Sequence, residues 1–478
     1  MSNYLDLSIK EINKKLINKE IKPLDLVMEC FNRIEENKEY NTFITLDKEN
    51  AIKKAKELEN KEVDNLLFGI PIAIKDNIIT KNLKTTCASK ILSNFIPTYD
   101  ATVIKKIKEK NMIIIGKLNM DEFAMGSTNE TSYYGNVLNS YDKERVSGGS
   151  SGGSAVAVSR GIVPFSLGSD TGGSIRQPAA FNGVVGLKPT YGRISRYGLV
   201  AFASSLDQIG PFSRNVYENA LLLNILCGKD EKDLTSSDTN EDFTRLIGEK
   251  IDGMKIAVPN FYMSDVVNKE IKNNIENIIE LLKDNNVKVE YVDIDYVEYA
   301  VPLYQIIALA EASSNLARFD GVRYGYQTDR EVSSIDEMYK YTRKEGFGEE
   351  VKRRMMIGSY VLSGKNAKTY YYKALKIRKK ISDSFQKLFE EYDLVIGPTT
   401  TDFAGKFNEG INDATKSFND DLFTIPVNMA GLPGMSIKIG EGKNKLPIGL
   451  QIIGNKFDEA KMYKLASFIE KEVGGKIC

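Results

Sequence analysis

Two turns rich in glycine and serine restrict the possible fold of this chain more than any other feature. The first is VSGGSSGGS at residues 146–154, and the second is SDTGGSIRQP at residues 169–178. The apolar residues 162–168 before the second turn predict a buried strand, and we expect a helix to begin at Ser174. A strand, a glycine turn and a helix in this order place free backbone N–H groups and the positive end of a helix at one point.

Apolar strands and amphipathic helices alternate along the rest of the chain. The continuous apolar runs at residues 68–74 and 112–116 predict buried strands. This alternation indicates an α/β protein with a largely parallel or mixed sheet. Further strands are expected at residues 41–46, 254–258, 287–292, 393–399, 435–439 and 448–453, the last two as a pair. Two helices are expected within residues 7–36, and another from the end of the strand at 41–46 to about residue 61. Further helices are expected near 100–110, at 266–284, within 302–390 and at the end of the chain. A loop is expected at 405–419.

The chain shows no internal repeat and no clean linker, so a single domain over residues 1–478 is preferred to two. The strand–helix–strand pattern at residues 254–292 leaves open a separate lobe or an insertion. The N-terminus has no basic segment followed by a long apolar run, and no stretch of about 20 apolar residues occurs. These features predict a cytoplasmic protein without a secretion signal or a membrane span.

Composition excludes several classes of function. Lysine plus arginine and aspartate plus glutamate both number 65, which gives no overall electrostatic reason for binding nucleic acid or membranes. The chain has no histidine, and its cysteines form no C-x-x-C pair, so no metal site is expected. The cysteines are interpreted as scattered reduced thiols, and Cys87 is a weak candidate for a nucleophile; they are Cys30, Cys87, Cys227 and Cys478.

The first turn matches known motifs only in part. Residues 149–153 fit G-x-S-x-G, the nucleophile elbow of α/β-hydrolases, but that class needs a histidine base. A phosphate-binding loop would end in G-K-[ST], which neither turn does. A flexible linker is disfavoured because the apolar residues 155–158 follow at once and predict a packed helix.

Without histidine, a serine nucleophile needs another base, and lysine is one known solution. A lysine base must be neutral, so its pKa must fall from the reference value of about 10.4, which burial achieves. Lys75 fits this need because it follows the apolar run that ends at Ile74. The alternative is a lysine that only caps a strand in solvent.

Four segments in the correct order resemble the amidase signature family. That resemblance implies the amidase signature fold, a large mixed β-sheet core covered by helices on both faces. It also divides the domain into a helical segment at about 1–65, a catalytic core at about 66–215 and a remainder at about 216–478. The four segments are residues 69–76, 148–154, 168–178 and 183–192.

The resemblance implies a Ser–cis-Ser–Lys triad. Carried over to this chain, Ser174 is the nucleophile, Ser150 is the bridging serine after a cis peptide bond, and Lys75 is the base. The expected oxyanion donors are backbone N–H groups of the second turn, those of Thr171, Gly172, Gly173 and Ser174.

A second set of segments, spread over nearly the whole chain, is similar to the A subunits of tRNA-dependent amidotransferases within that family. The similarity implies a glutaminase that supplies ammonia for amidating Glu-tRNA(Gln), and possible use of Asp-tRNA(Asn). It places glutamine against Tyr304, Arg354 and Asp421, with Arg353 and Asp420 as the neighbouring alternatives. The segments are residues 201–211, 311–325, 345–348 and 428–434.

The same resemblance implies a heterotrimer with B and C subunits. No cofactor is expected in this chain, while ATP and magnesium are expected on the B subunit, which also makes most of the tRNA contacts. Two other readings stay open: a free-standing amidase of small amides with the same triad, and a non-catalytic interaction subunit, which the intact triad residues oppose.

Overall fold

The computed structural model describes residues 3–239, 241–409 and 420–474. Its strands are β1 (Phe43–Leu46), β2 (Pro71–Lys75), β3 (Ile113–Leu118), β4 (Phe165–Asp170), β5 (Val185–Lys188), β6 (Gln208–Ser213), β7 (Lys255–Pro259), β8 (Lys288–Val292), β9 (Leu394–Pro398), β10 (Gly434–Glu441) and β11 (Pro447–Gly454). Within the described residues they form one sheet of eleven strands, in the order β1-β3-β2-β4-β6-β5-β10-β11-β9-β7-β8. Parallel and antiparallel pairs both occur, which confirms the predicted α/β class with a mixed sheet.

The first two α-helices begin where the sequence offers suitable first residues. Helix α1 starts with a capping box, in which the Ser8 hydroxyl accepts from the Glu11 N–H and the Glu11 carboxylate accepts from the Ser8 N–H. Pro23 occupies the first turn of α2, where its missing N–H costs nothing. The helices are α1 (Ile9–Ile17), α2 (Pro23–Glu36), α3 (Lys48–Leu58), α4 (Thr102–Glu109), α5 (Gly152–Ser159), α6 (Arg176–Asn182), α7 (Val216–Leu226), α8 (Lys269–Asp284), α9 (Ala300–Asn315), α10 (Ile335–Gly346), α11 (Glu349–Leu362), α12 (Tyr372–Glu391), α13 (Ile425–Ala430) and α14 (Glu459–Gly474).

The central strands are covered on both sides. Every residue of β2, β3 and β4 is buried. Because successive side chains of a strand point to opposite faces, complete burial requires packing against both faces of the sheet. In the parts of the chain that are described, no helix has the length and apolar character needed to span a membrane.

Three parallel strands bring their carboxyl ends together at one edge of the sheet. Strand β2 pairs in parallel with β3 on one side and with β4 on the other. Lys75 lies opposite Leu118 in β3, and Ile74 lies opposite Leu167 in β4. The residues that follow these three strands therefore meet at the same edge, the position at which α/β sheets bind ligands.

The structure differs from the sequence-based expectations in a few places. The strand–helix–strand unit at residues 254–292 is not a separate lobe: β7 and β8 extend the same sheet, with β7 parallel to β9. Strands β5 and β6 and helix α7 were not predicted. Helix α6 begins at Arg176 rather than at Ser174, because the carboxylate of Asp170 binds the Ile175 N–H and holds the preceding residues in a turn. Residues 410–419 of the expected loop, and Cys478, lie outside the described residues.

Candidate active site

Lys75 ends β2 with a fully buried side chain, so it does not cap the strand in solvent. Its Nζ lies 2.7 Å from the Ser150 Oγ, 2.7 Å from the Ser151 Oγ and 3.3 Å from the carbonyl oxygen of Ser169. Burial lowers the pKa of Lys75 to about 7, although the charges of three nearby aspartates oppose this shift. A substantial share of the Lys75 amine is therefore neutral at physiological pH.

The first turn presents Ser150 to this amine. The peptide bond between Gly149 and Ser150 is cis. The Gly149 N–H donates to the Gln177 side chain at 3.0 Å, and the Ser150 carbonyl accepts from the Asp121 N–H at 3.2 Å. Helix α5 begins two residues later, with every residue up to Val158 buried, which confirms the packed helix predicted after the turn.

Ser151 is part of this site and was missed from the sequence. Its hydroxyl accepts from Lys75 and donates to the Ser169 carbonyl at 3.1 Å. The signal for it was available, because a buried amino group must satisfy several hydrogen bonds and the first turn offers two adjacent hydroxyls. Ser151 thus joins the lysine to the end of β4.

The second turn contains consecutive backbone N–H groups that have no acceptor among the described residues. Across the described part of the chain, the N–H groups of residues 171–174 donate no hydrogen bond to another protein group. The turn is instead held by its other atoms: the Thr171 hydroxyl donates to Asp207 at 2.7 Å, and the Gly172 carbonyl accepts from Thr424 at 2.6 Å. Four unpaired N–H groups in succession can bind an anion or a developing negative charge.

Asp170 anchors the start of this turn. Its carboxylate accepts two hydrogen bonds from the Arg176 guanidinium at 3.1 Å and one from the Asn428 amide at 2.9 Å. Burial is the largest single influence and would raise the pKa of Asp170, but the charge and hydrogen bonds of Arg176, with the charge of Lys188 and the Asn428 hydrogen bond, together lower the pKa below its ordinary value. Asp170 therefore stays ionised and fixes the geometry of the residues that follow it.

Ser174 lies at the end of this row of donors. Its side chain is largely buried, with 7% of the residue exposed. Its hydroxyl makes no hydrogen bond with any of the described residues, so the structure contains the contact between Lys75 and Ser150 but no hydrogen bond between Ser150 and Ser174.

Two of the residues predicted to hold glutamine, Tyr304 and Asp421, lie against the second turn. A Cβ built on Gly172 would lie 3.0 Å from the Tyr304 ring, and one built on Gly173 would lie 2.4 Å from the Asp421 Oδ1. Asp421 accepts from the Ser127 hydroxyl at 2.5 Å, and desolvation raises the pKa of its carboxyl to about 8. Tyr304 and Asp421 therefore lie directly against the candidate oxyanion donors.

Helix α11 places its two neighbouring arginines in different environments. Arg354 is 9% exposed, whereas Arg353 is on the exposed side of the helix. The Arg354 Nε donates to Glu350 at 2.6 Å, its only hydrogen bond to the described residues, and its guanidinium lies 5.9 Å from the Phe202 ring. Burial raises the pKa of Tyr304 and the charge of Arg354 opposes this shift, which places the two side chains within electrostatic reach.

Two other kinds of site, a metal site and a cysteine nucleophile, are not supported by the described residues. The described residues contain no group of three or more cysteine, aspartate or glutamate side chains able to hold a metal ion. Cys87 is fully buried, and burial raises the pKa of its thiol well above the ordinary value, so the thiolate that acts as a nucleophile is disfavoured.

Comparison with known proteins gives consistent results. The model of the amidase family matches residues 25–462. The chain is 52% identical, over 471 residues and 97% of each chain, to the A subunit of glutamyl-tRNA(Gln) amidotransferase from Staphylococcus carnosus (strain TM300). The crystal structure of the corresponding A subunit from Thermotoga maritima is similar with a TM-score of 0.82 and 42% identity, covering 98% of this chain and 96% of that one.

A peptide amidase from Stenotrophomonas maltophilia shares the fold. Its TM-score is 0.83 at 24% identity, and the match covers 99% of this chain and 98% of that one. At this identity the likeness concerns the fold alone.

Proposed function

Because the chain belongs to the amidase family, we propose that it is the glutaminase subunit of a tRNA-dependent amidotransferase and releases ammonia from glutamine. The observation that carries this proposal is the 52% identity, over 97% of both chains, to the A subunit of a glutamyl-tRNA(Gln) amidotransferase. That full-length match favours this function over a free-standing amidase. The fully buried Lys75 beside Ser150 supports a catalytic rather than a purely structural role.

We assign the base to Lys75, the proton bridge to Ser150 and the nucleophile to Ser174. A neutral amine has two N–H groups and one lone pair. Its two N–H groups can donate to Ser151 and to the Ser169 carbonyl, which leaves the lone pair to accept the Ser150 proton. Ser150 in turn takes the proton of Ser174 while the Ser174 Oγ forms a bond to the glutamine amide carbon.

A negative charge develops on the amide oxygen. We assign its stabilisation to hydrogen bonds from the N–H groups of Thr171, Gly172 and Gly173. The proton held by Lys75 then passes through Ser150 to the amide nitrogen of the tetrahedral intermediate, the C–N bond breaks, and ammonia leaves. A water molecule hydrolyses the resulting ester on Ser174 by the same proton path and forms glutamate. The unpaired N–H groups of the second turn support this assignment.

The α-groups of glutamine need partners of opposite charge. We assign the α-carboxylate to Arg354, whose remaining N–H groups can form a charge-assisted pair, and the α-ammonium to Asp421. Tyr304 packs beside Gly172. Binding of the ammonium favours the ionised form of Asp421, whose pKa is about 8 in the free protein.

We further propose that the chain works in a heterotrimer with B and C subunits in the cytoplasm, and that it forms a single domain. The ammonia is consumed where the B subunit, with ATP and magnesium, activates glutamyl-tRNA(Gln). The equal numbers of basic and acidic residues are consistent with tRNA contacts made mainly by the B subunit.

An assay of ammonia release tests this function. Release from glutamine is measured for the chain alone, and for the chain co-expressed with B and C subunits and supplied with ATP and Glu-tRNA(Gln). We expect release that depends on the partners and little hydrolysis of acetamide or propionamide. Strong hydrolysis of varied amides by the chain alone, with no partner retained on purification, would contradict the proposal.

Gly173→Ala is expected to lower kcat by about 100-fold or more, the effect of losing one oxyanion donor. Gly173 has a φ of +152°, which side chains rarely adopt, and a Cβ there would lie 2.3 Å from the Thr424 Oγ1. The turn must therefore shift its N–H groups. Gly248→Ala is the matched control, because its φ is +86° but no atom lies within 4 Å of the added Cβ. Equal loss of kcat in both variants would point to instability instead.

Arg354→Lys is expected to raise KM for glutamine by about 10- to 100-fold with kcat nearly unchanged. The reason is that a lysine cannot replace a forked guanidinium at a carboxylate, and a hydrogen bond to a charged group contributes about 1.5–3 kcal/mol. Steady-state kinetics of the purified complex measure both constants. Arg353→Lys, on the exposed side of α11, serves as the control and should leave KM unchanged; the opposite pattern would reverse the assignment.

A further inference from the structure

Two adjacent carboxylates that the proposed reaction does not use lie at the same edge of the sheet. Asp121 and Glu122 follow β3, and their exposed fractions are 0% and 2%. Asp121 holds the first turn: its N–H donates to the Ser150 carbonyl at 3.2 Å. Its carboxylate also packs on Gly149, where an added Cβ would lie 2.0 Å from the Asp121 Oδ2.

Glu122 reaches in a different direction, to the beginning of α11. Its carboxylate accepts from the Gly348 N–H at 2.9 and 3.2 Å, and from the Ser89 hydroxyl. Gly348 is the N-cap of α11 and offers no side chain of its own to its N-terminal N–H groups. Glu349 and Glu350 already place negative charge in the first turn of α11, so what Glu122 adds from another segment is a hydrogen-bond acceptor for the N–H of the N-cap residue.

Glu122 occupies the space that a side chain at Gly348 would need. A Cβ at Gly348 would lie 2.3 Å from the Glu122 Oε2, so any other residue there would push the carboxylate away. Arg354 follows on the same helix, five residues after its first residue, and a helix rises 1.5 Å per residue. A shift of the N-terminus of α11 therefore moves the Arg354 guanidinium with it.

One hydroxyl joins the Asp121 carboxylate to the backbone of Glu122. The Thr131 Oγ1 donates to the Asp121 Oδ1 at 2.8 Å and accepts from the Glu122 N–H at 3.0 Å. The segment that supports Ser150 is therefore the same segment that holds the end of α11. This arrangement ties the position of Arg354 to the position of the first turn.

We propose that Glu122 is a positioning residue for substrate binding: by holding the N-terminus of α11, it sets the position of Arg354 relative to the second turn. The inference rests on the proposed glutaminase function. It assigns Glu122 a role in recognition of the substrate α-carboxylate, exerted through Arg354 and without contact with the substrate.

The test compares Glu122→Ala and Glu122→Gln in the complex with B and C subunits. We expect Glu122→Ala to raise KM for glutamine about tenfold, the effect of one lost hydrogen bond to a charged group. Glu122→Gln keeps one oxygen for the Gly348 N–H, so it should recover most of this loss, and kcat should stay within about twofold in both. Glu349→Gln is the control, because it removes an exposed charge from the first turn of the same helix and should not change KM.

A double-mutant cycle separates positioning from general stability. In the Arg354→Lys background, Glu122→Ala should change KM by less than about twofold, because both changes affect the same contact. The inference is overturned if Glu122→Ala lowers the melting temperature with no change in KM, or if its effect on KM is the same in both backgrounds. A wild-type complex that releases no ammonia from glutamine would instead contradict the proposed function, and this inference with it.

Discussion

Ser174→Ala is expected to abolish ammonia release from glutamine, with a loss in kcat of roughly 10⁶-fold, the size seen when a serine nucleophile is removed from a triad. The remaining oxyanion donors and substrate contacts cannot compensate for the missing covalent intermediate. The measurement is ammonia release by the purified complex under saturating glutamine.

The structure also predicts that this variant folds normally. The Ser174 hydroxyl makes no hydrogen bond to the described residues, so its removal leaves no buried partner unpaired, and the melting temperature should change little. Ser204→Ala, a change at an exposed serine, is the matched control for kinetics. Glutaminase activity retained in Ser174→Ala would remove this residue as the nucleophile.

Lys75→Arg should lower kcat by about 10²- to 10⁴-fold, the usual contribution of general acid–base catalysis. An arginine stays protonated at every accessible pH and cannot accept the Ser150 proton. In the wild-type protein, burial lowers the pKa of Lys75 to about 7, and in the proposed mechanism its neutral form accepts the proton. The value of kcat/KM should therefore rise with pH through about 7, and this rise should be absent in Lys75→Arg.

Two comparisons make the pH measurement specific. Asp421, with a pKa of about 8, must be ionised to bind the α-ammonium, so it adds a second rise at higher pH. Glutaramate, which lacks the α-amino group, should show the rise near 7 without the second one. Lys117→Arg is the matched variant of another fully buried lysine, and it should keep the rise near 7. A wild-type profile that is flat between pH 6 and 8 would exclude Lys75 as the base.

The sequence predicts most of the strands and long helices because their patterns are strong. Strands such as β2 and β3 are continuous apolar runs, and the capped amphipathic helices have clear beginnings. Strand β6 was missed since it contains Pro211, which normally marks a turn or an edge and here lies between two neighbouring strands. Strand β5 has only four residues, too few to show a period.

The residues predicted to bind glutamine show that a sequence pattern cannot distinguish between adjacent residues of the same type. Arg353 and Arg354 are adjacent and identical in type, so the sequence alone cannot separate them. Each residue of a helix is rotated by about 100° from the one before, so only the packing of α11 decides that Arg354 is buried and Arg353 is exposed. Their roles, like those of the triad residues, stay predictions until the variants are measured.

The sequence by itself determined which chemistry is open to this protein. With no histidine, a base for a serine in the two glycine–serine turns was limited to lysine, aspartate, glutamate or tyrosine, and Lys75 was favoured because it follows a buried strand. Only the tertiary structure decided that this lysine is buried beside Ser150. It brings together the ends of three parallel strands, so that Lys75 contacts hydroxyls 75 and 76 positions away in the chain. The lowered pKa follows from removal of water around the amine, a property of the packed protein that no local sequence pattern contains.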